Sequence, residues 1–135
     1  MGMTGFDSKT RYALLAAMDL AAHYRRDTPI KVEDIAGRTG APVKYLGQIP
    51  LRLKMRALVG SVQGPGGGYW LMRRPELISV AEVLGAVATT RRTRTTFPES
   101  PYGAALDRLA QEMRETERRL LSSISLADLA ARSSG

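Results

Sequence analysis

The apolar positions of this chain follow a helical period, switch to two short β-prone runs, and then return to a helical period. Those switches place its elements. Residues 12–22 (Tyr-Ala-Leu-Leu-Ala-Ala-Met-Asp-Leu-Ala-Ala) are apolar on most sides and rich in strong helix formers. A core helix is predicted there, capped by Asp7 or Ser8 and running to about residue 24. Residues 32–39 predict a short helix with Val32, Ile35 and Ala36 facing inward and Gly40 as its stop. Pro42 suits the first turn of the next helix. That helix is expected to reach about Ala57, with Tyr45, Leu46, Ile49, Leu53 and Leu58 inward and Lys44, Gln48, Arg52, Lys54 and Arg56 outward. Pro50 breaks the pattern, because a mid-helix proline loses a hydrogen bond and clashes with the preceding turn, at a cost of about 3 kcal/mol. A kink or break is therefore predicted between Leu46 and Pro50, where Gly47 also weakens the turn.

The period then shortens. Residues 58–63 and 69–72 are β-prone runs flanking Gly64-Pro65-Gly66-Gly67-Gly68, a composition that demands a tight hairpin. Helix, turn, helix and hairpin in succession predict a winged helix-turn-helix. Beyond it, Ser79 and Glu82 have capping-box spacing and Ile78 and Val83 that of a hydrophobic staple, so a helix should start there and end near Val87. Residues 89–101 have no period and read as a loop. From 102 to 122 a long helix carries Leu106, Leu109, Met113, Thr116 and Leu120 at spacings of three and four, a heptad seam. Such a seam could pack on the chain's own body, but its mixed-charge flanks (Arg108, Glu112, Glu115, Arg119) favour pairing with a second copy. Ser125 and Asp128 open a last short helix, 126–131. The expected fold is mainly α with one small β-hairpin. Residues 1–88 form a winged helix-turn-helix domain, 89–101 a loop, and 102–135 a dimerisation helix with a short terminal helix.

Composition and charge narrow the function. With 44% hydrophobic and 24% charged residues among 135, neither a disordered nor a fibrous chain is indicated. No apolar run approaches the roughly 20 residues that span a bilayer. The first eight residues lack the pattern of an export signal, so a cytoplasmic location without membrane contact is expected. Residues 1–74 hold 12 Lys/Arg against 5 Asp/Glu, a net of +7, whereas residues 75–135 hold 8 against 8. All the excess lies on the predicted reading half, which points to nucleic acid. The chain has no cysteine and one histidine, His23. Disulfides, thiolate chemistry and cysteine-rich metal sites are thereby excluded. No nucleophile-base-acid set suggests an enzyme, and no cofactor is expected. His23 reads as a surface or half-buried residue.

Several motifs together resemble the Rrf2 family of bacterial transcription regulators. They are Ser8-Lys9 with Arg11-Tyr12-Ala13, Asp34-Ile35-Ala36, Tyr45-Leu46, Gly64 to Leu71, Ile78 to Val83, and Ser125-Leu126-Ala127-Asp128-Leu129. The resemblance spans nearly the whole chain. It implies a homodimeric winged-helix repressor or activator whose long helix crosses its mate and whose wings grip a palindromic operator. Well-known members carry three cysteines in the loop before the long helix, where they hold an iron-sulfur cluster. Here threonines and arginines stand there instead. The wing position that is commonly arginine is Gln63, and Gly47 stands where some members have glutamate.

On this reading Lys44 and Gln48 are the base-contact candidates, since Lys donates to guanine and Gln pairs with adenine. Ser8, Lys9, Arg11, Arg52 and Lys54 would address phosphates. Tyr45 belongs to the same surface, and Gln63, Gly64, Gly66 and Gly67 would lie at the minor groove. Trp70 is expected to pack on the first helix. By default Arg91, Arg92 and Arg94 read as solvated loop charges; if an effector exists, a small molecule or a protein, it would meet Arg91, Arg92, Arg94, Phe97 and Tyr102. The competing reading is a protein-interaction module on a winged-helix scaffold that has lost specific DNA binding.

Overall fold

The computed structural model describes residues 6–25, 28–88 and 100–133. Helix α1 spans Ser8–Ala22 and is capped by Asp7, whose carboxylate accepts from the Thr10 N–H at 2.8 Å. It ends two residues earlier than expected, at a cap formed by His23. Its buried stripe (Ala13, Leu14, Ala16, Ala17, Leu20) is the axis of the core, and small alanines there let neighbouring elements approach closely. Helix α2 spans Val32–Thr39 and stops at Gly40, whose φ of +80° is left-handed. Ile35 is fully buried.

One polar group enters this core. The Asp19 carboxylate, its side chain only 5% exposed, receives two hydrogen bonds from Arg38, from Nε at 2.8 Å and from an Nη at 2.9 Å. This fork clamps α2 onto α1. His23 sits at the edge of the pair, about half exposed, with Nδ1 3.0 Å from the Asp19 carbonyl oxygen.

The predicted interruption is present. The second half of the helix-turn-helix is two pieces, α3 (Val43–Leu46) and α4 (Ile49–Met55), separated by Gly47 and Gln48. Pro42 stands just ahead of α3 as its N-cap. Pro50 falls in the first turn of α4, where a missing N–H costs nothing. Leu46, Ile49, Pro50 and Leu53 are all buried, so the break keeps one continuous apolar face. Two expectations fail here. Tyr45 does not face inward but is 47% exposed, its ring stacked on Tyr12. The helix stops at Met55, because Ala57 takes a left-handed φ of +58° to turn the chain into the wing. Such a conformation costs a non-glycine residue about 1–2 kcal/mol.

Strands β1 (Val59–Val62) and β2 (Gly68–Leu71) pair antiparallel, Val59 opposite Leu71 and Val62 opposite Gly68. Tyr69 and Leu71 share the inner face, with Leu71 buried and Tyr69 packed against the core. Alternation sends Trp70 to the other face. Its ring covers Gly60 on the facing strand, where a Cβ would meet it at 2.6 Å, and it lines a cleft with Tyr24, just beyond the end of α1.

After a 3-10 turn at Pro75–Leu77, α5 spans Val80–Val87, α6 Pro101–Ser122 and α7 Leu126–Arg132. Both anticipated capping boxes are complete, Ser79 with Glu82 and Ser125 with Asp128. They lie side by side: Val80 N–H donates to the Ile124 carbonyl and Leu126 N–H to the Ile78 carbonyl, each at 2.8 Å. Hydrogen bonds from the Ser125 N–H and hydroxyl hold the Asp128 carboxyl below the usual carboxylate range. Partial burial pushes Glu82 upward, but hydrogen bonds from Arg73 and the Ser79 N–H outweigh it and its pKa is also lowered. Leu126 is fully buried and α7 packs on α1, returning the end of the chain to the helix-turn-helix body. By contrast, α6 contributes no fully buried residue.

Replacing Arg38 with alanine strips the buried Asp19 carboxylate of both guanidinium hydrogen bonds and leaves only the His23 imidazole nearby, at 3.5 Å. The expected loss is about 2–3 kcal/mol in chemical denaturation; an unchanged midpoint would show that the clamp carries no stability.

Candidate nucleic-acid interface

The start of α1, helices α3 and α4 and the wing carry the nucleic-acid candidates named from the sequence. A groove of about 350 Å³ is lined by Ser8, Lys9, Tyr12, Tyr45, Gln48 and Ile49. It brings two expected phosphate ligands, Ser8 and Lys9, beside the expected base reader Gln48. Its aromatic wall is the Tyr12–Tyr45 stack, with ring centroids 5.2 Å apart and planes inclined by 22°. The Lys44 ammonium lies 5.0 Å from the Tyr45 ring centroid, within cation–π range.

A second cleft of about 510 Å³ opens between α4 and the wing, with Lys31, Leu51, Lys54 and Gln63 among its lining residues. Lys54 Nζ donates to Ser61 Oγ at 2.8 Å. Lys54 therefore bridges α4 to β1 with one donor and keeps two for another partner. Arg52 is half-buried and lines a separate cleft with Gln48, Leu51, Met55, Arg56 and Ala86. Arg11 is exposed on α1 and lines neither groove. Acidic groups are sparse beside these cations: Glu33 borders the wing cleft, and Asp7, held ionised by hydrogen bonds from the Thr10 N–H and hydroxyl, sits at the α1 cap.

The wing tip, 62–66, is exposed. Its shape comes from glycine in two ways. Gly64 and Gly66 take φ of +95° and +79°, which only glycine adopts without strain. Gly68 is needed for contact within the protein: a Cβ there would lie 2.4 Å from the Ile30 carbonyl oxygen. Ile30 and Tyr69 exchange two backbone hydrogen bonds of 2.8 Å each, so β2 is pinned close to the turn of the wing by a third strand-like segment.

Sequence reasoning missed Tyr12, Lys31, Leu51 and Ile30 as parts of this face. Tyr12 reads as core in its apolar run, and nothing in the spacing signals a partner 33 residues away. Of the expected effector residues, Arg91, Arg92, Arg94 and Phe97 lie outside the described residues, and Tyr102 is 83% exposed in the first turn of α6. Among the described residues, no group of three or more His, Cys, Asp or Glu side chains could hold a metal ion. No helix there is long and apolar enough to cross a membrane.

A helix-turn-helix with cations along its second half, joined to a glycine-tipped hairpin, defines a winged helix-turn-helix DNA-binding transcriptional regulator. The comparisons with known proteins place it further. The family model described as "Rrf2: Iron-dependent Transcriptional regulator" matches residues 6–132, and the chain belongs to this family. It is 41% identical over 128 residues to the HTH-type transcriptional regulator IscR of Xenorhabdus nematophila, covering 90% of this chain and 76% of that protein. The solved structure of T. potens IscR superimposes with a TM-score of 0.78 at 28% identity, over 97% of this chain and 89% of that one. CymR (YrzC), the global cysteine regulator of B. subtilis, gives 0.78 at 27% identity, over 96% and 98%. Iron dependence through cysteine ligands does not fit this member, since the chain has no cysteine to coordinate a cluster.

Replacing Gly68 with alanine forces its Cβ into the Ile30 carbonyl. The expected cost is about 1–3 kcal/mol, read as a lower thermal midpoint together with faster amide exchange at Ile30 and Tyr69; unchanged exchange at both would refute the pinned-wing geometry.

Proposed function

We propose that this regulator acts as a cytoplasmic homodimer that reads an inverted-repeat operator, without enzymatic activity and without a cysteine-ligated iron-sulfur cluster. The observation that carries the proposal is the shared groove in which Ser8 and Lys9 of α1 meet Tyr45 and Gln48 of the reading helices. Phosphate anchors and base readers stand on one continuous surface, the arrangement that a duplex requires. Lys44 and Gln48 read base edges in the major groove. Lys9, Arg11, Arg52 and the free donors of Lys54 neutralise phosphates, with Ser8 as an uncharged donor. Gln63 and the glycines Gly64, Gly66 and Gly67 run along the minor groove.

The case for a dimer rests on α6. Leu106, Leu109, Met113 and Leu120 are each more than half exposed along 22 residues, an apolar seam that water disfavours. Thr116 in the same seam already satisfies its hydroxyl on the Glu112 carbonyl at 2.8 Å, so it presents little unmet polarity to a partner. The helix is about 33 Å long, the scale of the roughly 34 Å between successive major grooves on one side of B-DNA. Residues 102–122 thus form the dimerisation arm, while α7 belongs with the reading body.

Selection of duplexes from a random pool by the purified chain should return an inverted repeat. Four cations per protomer make about eight phosphate contacts per dimer, so log affinity should fall against log salt with a slope of about −7. Failure to bind any duplex at low salt would support the protein-interaction reading instead, for which exposed Leu51 and Met55 on α4 are the favourable feature.

Replacing Met113 with glutamate puts a charge in the apolar seam. It should convert the dimer to monomer in sedimentation and lower affinity for the inverted repeat at least tenfold, while a single half-site is bound as before. A dimer that survives the substitution would remove α6 from the interface.

A further inference from the structure

Helix α3 is four residues long, and neither end has a side-chain cap. One turn of helix does not hold itself in water, so tertiary contacts must set its direction. On its inner side Leu46 is fully buried. On its outer side the ring of Tyr45 lies on Tyr12, and the Lys44 ammonium lies on the ring of Tyr45. The interruption at Gly47 and Gln48 means that the hydrogen-bond ladder of α4 does not continue into α3. Tyr12, in turn, stands on the best-anchored element of the fold, α1, four of whose neighbouring residues (Ala13, Leu14, Ala16 and Ala17) are buried. Cation, ring and ring therefore form a ladder running from the core helix to the reading helix.

We propose that Tyr12 is a specificity-positioning residue: through Tyr45 it holds Lys44 in the direction of a base edge, and so governs sequence discrimination without touching a base itself. This rests on the DNA-reading assignment above. Lysine is a compact charge on a flexible four-carbon stem. An ammonium resting on an aromatic face has fewer conformers to lose when it meets guanine, and pre-organisation of that kind favours the correct partner. The same helix carries Lys9, which shares a groove with Tyr12. The phosphate anchor and the base reader are thus referenced to one rigid body, and the ladder transmits register from one to the other.

The test uses the full chain, the duplex it selects from a random pool, and a scrambled duplex of equal length. Tyr12→Leu should weaken binding to the selected duplex about threefold to tenfold. Binding to the scrambled duplex should change less than twofold, and the salt slope should stay as it was. Tyr12→Phe, which keeps the ring face, should behave as the unmodified protein. In a Lys44→Ala background, Tyr12→Leu should cause no further loss of discrimination, because coupled residues are non-additive. Should Tyr12→Leu fail to fold, Tyr12→Met, which keeps much of the bulk without a ring face, takes its place. Equal losses on both duplexes, additivity with Lys44→Ala, or unchanged discrimination would each overturn the proposal. Salt-independent failure of the unmodified chain to bind either duplex would overturn the DNA-reading assignment instead.

Discussion

A proline that cannot donate a hydrogen bond sets the geometry of the reading surface. Pro50 is buried, and its ring would collide with the preceding turn if α3 and α4 were one helix. The fold avoids that collision by ending one helix at Leu46 and starting another at Ile49. Because Leu46, Ile49 and Leu53 still point into the core, the interruption does not cost the domain its packing. It costs α3 the support of a longer helix, and that support is replaced from outside, by α1. What a continuous recognition helix gains from its own hydrogen bonds, this one takes from a stacked tyrosine pair and a buried leucine.

The wing follows a related logic. A two-stranded hairpin is marginal alone, and this one is held at three places. Tyr69 on β2 exchanges hydrogen bonds with Ile30, Lys54 ties β1 to α4, and Tyr69 with Leu71 packs against the core. Only the tip remains free and exposed. The hairpin is thus tied to the helix-turn-helix, and the Asp19–Arg38 fork ties α2 to α1 in the same way.

Much of this was legible in the sequence, because the signals were local. The two capping boxes, the glycine hairpin and the helix-breaking proline each depend on residues within five or six positions of one another, and each formed where its pattern lay. The misreadings share a different cause. Tyr45 fits an inward position by period, yet its partner Tyr12 lies 33 residues away and fixes it at the surface. The Asp19–Arg38 pair spans 19 residues, so neither partner announces it. Ala57 gave no warning of a left-handed turn, since alanine is an ordinary helix former. The candidate face was drawn from its cations alone, whereas the Tyr12–Tyr45 stack beside them appeared only once α1 was laid against α3.

The account stands on α1, α3 and the wing tip lying together against a duplex. Amide hydrogen exchange of the full chain, with and without a selected duplex, examines that placement residue by residue. Protection should rise at residues 8–12, 43–48 and 63–67 while α7 stays unchanged. Protection confined to α5 and α7, or none at the wing tip, would contradict it.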